Sequence, residues 1–528
     1  MKWQRTPVIF ILLSSLVALS LRLPKLEDRP MHGDEAIHAV KLGRLLEDGY
    51  YRYNPQEFHG PTLNYVTLIP ARLSGVRELK DLNETVLRIV PVFFGVLLAV
   101  LPFLLIDGLS LRAVIISSFI AAISPAMVFF SRYYIQETLF VFFTFGTVIS
   151  AFRYTKNRTS IWAVLTGLFF GLTHATKETS LVVFSSMVLA FILTVSRKRT
   201  ERGGAISFGN MEKVNLRHGA IAILVGALVS GLFHSSFLSN PEGFVDAFRS
   251  YGAYLSRGTQ SDWHIHSWYY YLKILLYSRF GSGPVWSEGL IIILALCGIV
   301  ALMTKSGIAG VSAPFGRYIA YFTLIMTAIF SAIPYKTPWN LLTFHYGMIL
   351  LAGLGATVII RSQKSYHMRI VVAVLLTAGA IQLVRQTYLA NFRYSSDPVN
   401  PYVYAHPRND VIAVARRVEA VSRAHPSGED LPIQVIWPGD DYWPLPWYLR
   451  SFSNVGWWNT VDESAPNAPL IIASPEVETD LVSKLYGSAG PGEVHLYVPL
   501  FDSYIELRPG VELRGYIRND LLERLERQ

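Results

Sequence analysis

About eleven stretches of this chain are long and apolar enough to cross a bilayer, and that pattern restricts the fold more than any other feature. A span needs about 20 mostly apolar residues. Such runs cover 7–23, 86–106, 113–130, 137–152, 161–175, 179–195, 218–236, 285–304, 318–333, 341–360 and 370–388. In hydrocarbon every backbone polar group must be satisfied within the structure, so runs of this length are read as helices. Composition agrees: 51% of residues are hydrophobic and 16% charged, whereas a soluble chain carries about 25% charge. Disordered and collagen-like chains are excluded, and a large soluble enzyme is disfavoured. Cys297 is the single cysteine, so neither an intrachain disulfide nor a cysteine zinc site can form.

The charges that remain define a topology. The first run follows Lys2 and Arg5 like a signal peptide, but Arg22-Leu-Pro-Lys25 follows it in place of a small-residue cleavage site. It reads as an uncleaved anchor. With the N-terminus inside, the segments 1–6, 107–112, 153–160, 196–217, 305–317 and 361–369 are cytoplasmic and hold 17 Lys and Arg. The short outer loops 131–136, 174–178 and 334–340 hold one each: Arg132, Lys177 and Lys336. The positive-inside rule favours this orientation. Two long loops, 24–85 and 237–284, and the tail 389–528 then lie outside the cytoplasm. The net charge of +9 sits in short clusters between spans, which suits a membrane and not nucleic acid.

The expected fold is an all-α polytopic membrane domain over 1–388 followed by an extracytoplasmic α/β domain over 389–528. In the tail, Ile433-Gln-Val-Ile-Trp437 and Pro469-Leu-Ile-Ile-Ala473 read as buried strands, and 410–423 and 476–486 have helical spacing. Loop 24–85 reads as two amphipathic helices, because 60 unstructured residues would be unusual.

Chemistry concentrates on the outer side. Met31-His-Gly-Asp-Glu-Ala-Ile-His38 places Asp34 and Glu35 just beyond the first span. Adjacent carboxylates can supply a general base or hold a divalent ion, and an Asp there can instead cap the helix that follows. Glu137 opens an apolar run, where a charge costs about 2.5–3.5 kcal/mol and so faces a cavity or a partner such as Arg132. His174-Ala-Thr-Lys-Glu-Thr179 and Pro334-Tyr-Lys-Thr-Pro-Trp-Asn340 carry Lys177 and Lys336, candidate phosphate binders or snorkelling surface charges. In Asp262-Trp-His-Ile-His-Ser-Trp, His264 and His266 would share a strand face. They are a candidate metal pair or part of an aromatic belt. Arg249 and Arg257 are further phosphate candidates. Carboxylates beside cations at a membrane surface suit a lipid-linked phosphate substrate: the first activate an acceptor or hold a metal, the second bind the leaving phosphate.

These motifs, in this order, resemble the GT-C glycosyltransferases, and within them the protein mannosyltransferase and aminoarabinose transferase branch. His-Gly-Asp-Glu-Ala-Ile-His, Phe58-His-Gly-Pro61, Ala-Thr-Lys-Glu-Thr and Pro-Tyr-Lys-Thr-Pro-Trp are similar, more narrowly, to the flippase activity-associated family of archaeal N-glycosylation. The resemblance spans roughly 1–390. It implies inverting transfer of a sugar from a polyprenyl-phosphate donor to a glycan, lipid or protein acceptor outside the cytoplasm, in the cell membrane. Asp34 would act as base, with Glu35 beside it, and Glu137 matches the second acidic position. Lys177 and Lys336 fall where basic residues near the donor phosphate are expected. Arg132, His59, Arg257 and Trp339 complete the candidate substrate contacts. Asp34, Glu137, His264 and His266 are the candidate ligands for a divalent metal ion. The narrower likeness implies a rival: a lipid-carrier flippase or accessory protein without glycosyl transfer. Trp457-Trp-Asn-Thr460 lacks the Asp of the oligosaccharyltransferase Trp-Trp-Asp signature, so it reads as packing. Asp440-Asp441 could bind acceptor or cap a helix.

Overall fold

The computed structural model describes residues 5–56, 59–201, 215–260, 264–304, 308–487 and 495–527. The chain forms two compact units. One comprises Met1–Leu26, Asp48–Ser74 and Thr85–Tyr404; the other comprises Glu27–Glu47, Gly75–Glu84 and Ala405–Gln528. Two pieces of the loop 24–85 therefore cluster with the tail, whereas the sequence reading keeps that whole loop with the membrane domain.

The first unit is helical. Among the described residues, seven helices are long and apolar enough to span a membrane: Glu84–Leu109, Glu137–Lys156, Ser180–Arg197, Leu216–His234, Ala313–Ala332, Pro338–Ser362 and Tyr366–Arg393. Four shorter apolar helices, Thr6–Arg22, Leu111–Ile123, Ser160–His174 and Gly289–Thr304, lie at the other expected runs. Helices in lipid gain little from apolar contact alone, so small residues let backbones approach closely. Gly355 is such a point: a Cβ there would sit 1.9 Å from the Leu294 carbonyl oxygen. The core is built from side chains such as Phe129, Phe145, Phe322, Tyr346 and Trp286.

The second unit holds a six-stranded sheet: β1 (Ile433–Ile436), β2 (Val455–Trp458), β3 (Leu470–Ala473), β4 (Tyr497–Pro499), β5 (Ile505–Arg508) and β6 (Val511–Arg518). The order is β2-β1-β3-β6-β4, with β5 paired to β6. β1 pairs in parallel with β2 and β3; β6 is antiparallel to β3, β4 and β5. β1 and β3 are buried along their whole length, as expected for strands covered on both faces. The helix Asp410–Ala424 packs Val411, Val414, Val418 and Val421 into the same core as Ile433 and Ile472.

The helix Gly33–Asp48 belongs to this unit, apart from its last residue. Its apolar face carries Ala36, Ala39, Leu42 and Leu45. The segment before it is held by a hydrogen bond from the Met31 N–H to the Tyr448 hydroxyl at 2.9 Å and by the His32 ring 4.8 Å from that of His406. Residues 75–84 are tied down by Trp447 Nε1, which donates to Glu84 at 2.9 Å, and by the Arg450 guanidinium, which donates to the Leu82 carbonyl.

Candidate functional site

In the second unit the two adjacent carboxylates part company. His32 is the N-cap of the helix, since the Ala36 N–H returns to its carbonyl at 2.9 Å. Glu35 is then the third helical residue. It accepts the His32 N–H on Oε2 at 3.1 Å, which is the reciprocal half of a capping box. Its Oε1 lies 3.4 Å from Arg29, and the side chain is fully buried. Glu35, not Asp34, therefore secures the helix start.

Asp34 has 44% of its side chain exposed. Its own N–H donates to His32 Nδ1 at 3.0 Å. A ring nitrogen that accepts a hydrogen bond carries no proton, so Nδ1 cannot donate to the Asp34 carboxylate 3.8 Å away. The carboxylate keeps its lone pairs for an incoming donor.

In the first unit Glu137, Lys177 and the turn 334–340 come together. The Lys177 ammonium donates to Glu137 at 2.5 Å and to Asn340 Oδ1 at 2.9 Å. The two charged side chains are only 4% and 5% exposed. The Asn340 amide is oriented in turn by donating to the Thr337 hydroxyl at 3.0 Å. Lys336 is buried, and its ammonium donates to the carbonyls of Ile333 and His266. An ammonium has three donors, and two go to these carbonyls. Burial lowers the Lys336 ammonium below its ordinary value. His264 Nδ1 and His266 Nε2 both meet the Tyr404 hydroxyl, and Trp339 lies 6.0 Å from the same ring.

Arg132 does something different. It donates to the carbonyls of Arg22, Pro24 and Lys25 and covers the Phe392 ring, so it caps the end of the first apolar helix. His59 pairs with Glu178 at 2.7 Å. Burial pushes the Glu178 carboxyl up, but the charge and hydrogen bond of His59, with a backbone hydrogen bond and the Lys177 charge, outweigh it and hold the carboxyl below its ordinary value. The neighbouring Gly60 donates its N–H to the Thr176 carbonyl at 3.2 Å, and a Cβ at Gly60 would lie 2.1 Å from the Ala175 oxygen. Only glycine allows that approach. Phe58 and the Arg257 side chain lie outside the described residues.

Sequence reasoning passed over three participants. Asn340 completes the Lys177 coordination and was visible as the polar residue ending Pro-Tyr-Lys-Thr-Pro-Trp-Asn. Tyr404, at the C-terminal limit of the first unit, joins His264 and His266, and no local signal marks it. Glu288 is a fully buried carboxylate that accepts from Ser124, the Ala126 N–H and Tyr402 and pairs with His345 at 3.0 Å. Its place inside the apolar run 285–304 was the available signal, because a charge there demands partners.

Other proteins share the fold. The family model described as dolichyl-phosphate-mannose-protein mannosyltransferase matches residues 73–230. The comparison with curated protein sequences gives no match. Among solved structures, ArnT from Cupriavidus metallidurans bound to undecaprenyl phosphate is 15% identical, with a TM-score of 0.61 over 96% of this chain and 97% of its own. The chain shares the fold of this ArnT. Its fold is also that of the Archaeoglobus fulgidus oligosaccharyltransferase AglB in complex with an inhibitory peptide and a dolichol-phosphate: 12% identity, TM-score 0.57, 91% of this chain and 70% of that one. An Archaeoglobus fulgidus oligosaccharyltransferase in complex with zinc and sulfate gives a TM-score of 0.54 at 12% identity, over 96% of this chain and 73% of that one. With this fold and its apolar helices, the chain is a membrane protein.

Asp34, Glu137, His264 and His266 are the ligands that the sequence offers for a divalent ion. Among the described residues no three His, Cys, Asp or Glu side chains converge. Glu137 is committed to Lys177, and His264 and His266 each spend one nitrogen on Tyr404. Lys336 also lies close enough to His266 to lower its pKa, with burial the larger cause and His264 contributing. A cation beside the pair opposes a second cation. These donors do not by themselves fit a divalent ion.

Proposed function

We propose that the chain is a membrane glycosyltransferase that moves a sugar from a polyprenyl-phosphate donor to an acceptor hydroxyl, with Asp34 as the base and inversion at the anomeric carbon. The observation that carries this reading is the division of labour between neighbours: Glu35 is buried in the helix cap, while Asp34 is exposed and undonated by His32. The fold is shared with ArnT, whose structure holds undecaprenyl phosphate, and with AglB, whose structure holds dolichol-phosphate.

In this scheme Asp34 takes the proton of the acceptor hydroxyl as its oxygen bonds to the anomeric carbon. The bond from that carbon to the donor phosphate breaks with its electron pair, and the phosphate leaves from the face opposite the attack. Lys336 and Lys177 are the residues proposed to meet that phosphate, and Glu137 and Asn340 hold Lys177 in place for it. His59, Arg257 and Trp339 remain proposed substrate contacts. The proposed setting is the cell membrane, with the N-terminus cytoplasmic, the tail outside and the first domain running to about 388 by the count of spans.

The test is transfer by the purified protein from radiolabelled polyprenyl-phosphate sugars, with and without EDTA. Wild type should yield labelled product and Asp34→Asn should not, with equal melting temperatures. Near-normal transfer by Asp34→Asn would remove the base assignment. No product from any donor, with lipid translocation still dependent on the protein, would return the reading to the flippase. The EDTA arm decides whether a divalent ion takes part.

A further inference from the structure

The parallel half of the sheet ends in a face that the chemistry at Asp34 alone does not employ. β2 and β3 lie on opposite sides of β1. The chain thus leaves β1 to one side and later returns on the other. In open α/β sheets, ligands bind outside the carboxyl ends of the strands at such a reversal.

At the carboxyl end of β1 the chain turns through residues 437–444, with Gly439 and Asp440 at φ 69° and 57°. At the carboxyl end of β2 comes Asn459. The two ends are joined by the Asp440 N–H, which donates to Asn459 Oδ1 at 3.1 Å. The Tyr442 and Trp457 ring centroids lie 4.6 Å apart with the planes tilted by 40°, and both rings are half-buried, with their inner edges against the core of the unit. Asp440, Asp441 and Asn459 are exposed. Asp441 is taken by Arg508 at 2.5 Å, which leaves Asp440 as the outward carboxylate. The same loop reaches the candidate base: a Cβ on Gly33 would lie 3.6 Å from Trp443 Cβ, and Gly33 directly precedes Asp34.

We propose that this face binds a carbohydrate acceptor, with Tyr442 and Trp457 against the C–H face of a sugar ring and Asp440 and Asn459 on its hydroxyls. The choice follows from the donors and acceptors present. A carboxylate only accepts, so the ligand must bring O–H or N–H groups. Aromatic rings with polar groups beside them suit a ligand that has one apolar and one hydroxylated side. An outward carboxylate repels phosphates and acidic peptides. The inference rests on the proposed transfer reaction for its biological meaning, but its test does not.

The experiment is calorimetric titration of the full-length protein in lipid nanodiscs with two probes, mannobiose and chitobiose, and with a Ser/Thr-containing peptide as comparison. Wild type should saturate with at least one disaccharide. Asp440→Asn and Tyr442→Ala should each weaken that binding by about tenfold, the loss of one good polar or stacking contact. Asp440 is exposed, so its variant keeps the test meaningful if Tyr442→Ala fails to fold. Saturation by the peptide alone, saturation by none of the probes, or unchanged binding in Asp440→Asn would each overturn the proposal. Transfer activity with unchanged disaccharide binding in Asp440→Asn would leave the transferase reading intact and sink only this one.

Discussion

Two carboxylate regions of the molecule look alike in sequence and are opposites in structure. Asp34 stands at a helix start in the second unit with nearly half its side chain exposed. Glu137 stands at a helix start in the first unit, sealed in an ion pair with Lys177. The difference is one of solvent: one carboxylate is open to it and the other is sealed from it. An exposed carboxylate can exchange a proton with a substrate. A buried pair is held by its partner, and breaking one side strands a charge without solvent.

The comparison breaks most readily at Asp34. General base catalysis contributes about 10²- to 10⁴-fold to rate. Asp34→Asn should lower transfer by that factor in the radiolabel assay while the melting temperature stays put. A drop in melting temperature comparable to the effect at Lys177 would make Asp34 structural after all.

Lys177→Met should lower stability as well as transfer. Leaving Glu137 buried and unpaired is expected to cost about 3–5 kcal/mol, read as loss of thermal stability. Replacing both partners with Met and Leu should restore most of it. If the single and double variants are equally unstable, the pair is not the source of the stability.

Glu35→Gln sharpens the contrast between neighbours. A neutral amide keeps the cap geometry but loses the charge opposite Arg29, and about 1–2 kcal/mol of stability should go with it. Transfer by the folded fraction should be unchanged. A selective loss of rate would assign Glu35 a part in the chemistry.

The smallest effect concerns Glu178. Its folded value is held below the ordinary carboxylate value of about 4.3. The stabilisation is therefore fully present above that pH and is lost as pH falls through the depressed folded value. His59→Ala removes the partner, so burial then raises the Glu178 carboxyl and the acid limb of the melting curve should move to higher pH. A superimposable acid limb would show that His59 does not govern Glu178.

Much of this architecture was legible beforehand, because a bilayer demands long apolar runs and tolerates few charges. Every expected run carries an apolar helix, and Ile433–Ile436 and Leu470–Ala473 are strands where short apolar segments placed them. The individual duties of the charged residues were less legible. Arg132 was read as a phosphate ligand or a partner for Glu137, yet its donors go to backbone carbonyls at 22–25. A guanidinium has five donors and takes whatever acceptors the fold brings near. Likewise Asp34 and Glu35 are equivalent as text, and their roles separate only through the helical register that turns Glu35 back onto the His32 N–H.

By itself, then, the amino-acid sequence determined that this is a polytopic helical protein with an α/β tail, because hydrophobic period and length respond to solvent and to little else. Tertiary structure alone decided that Glu27–Glu47 and Gly75–Glu84 pack with the tail. It also decided that Lys177 meets both Glu137 and Asn340 across 40 and 163 residues of chain. Such pairings depend on where distant backbone segments meet, and no local pattern records that meeting.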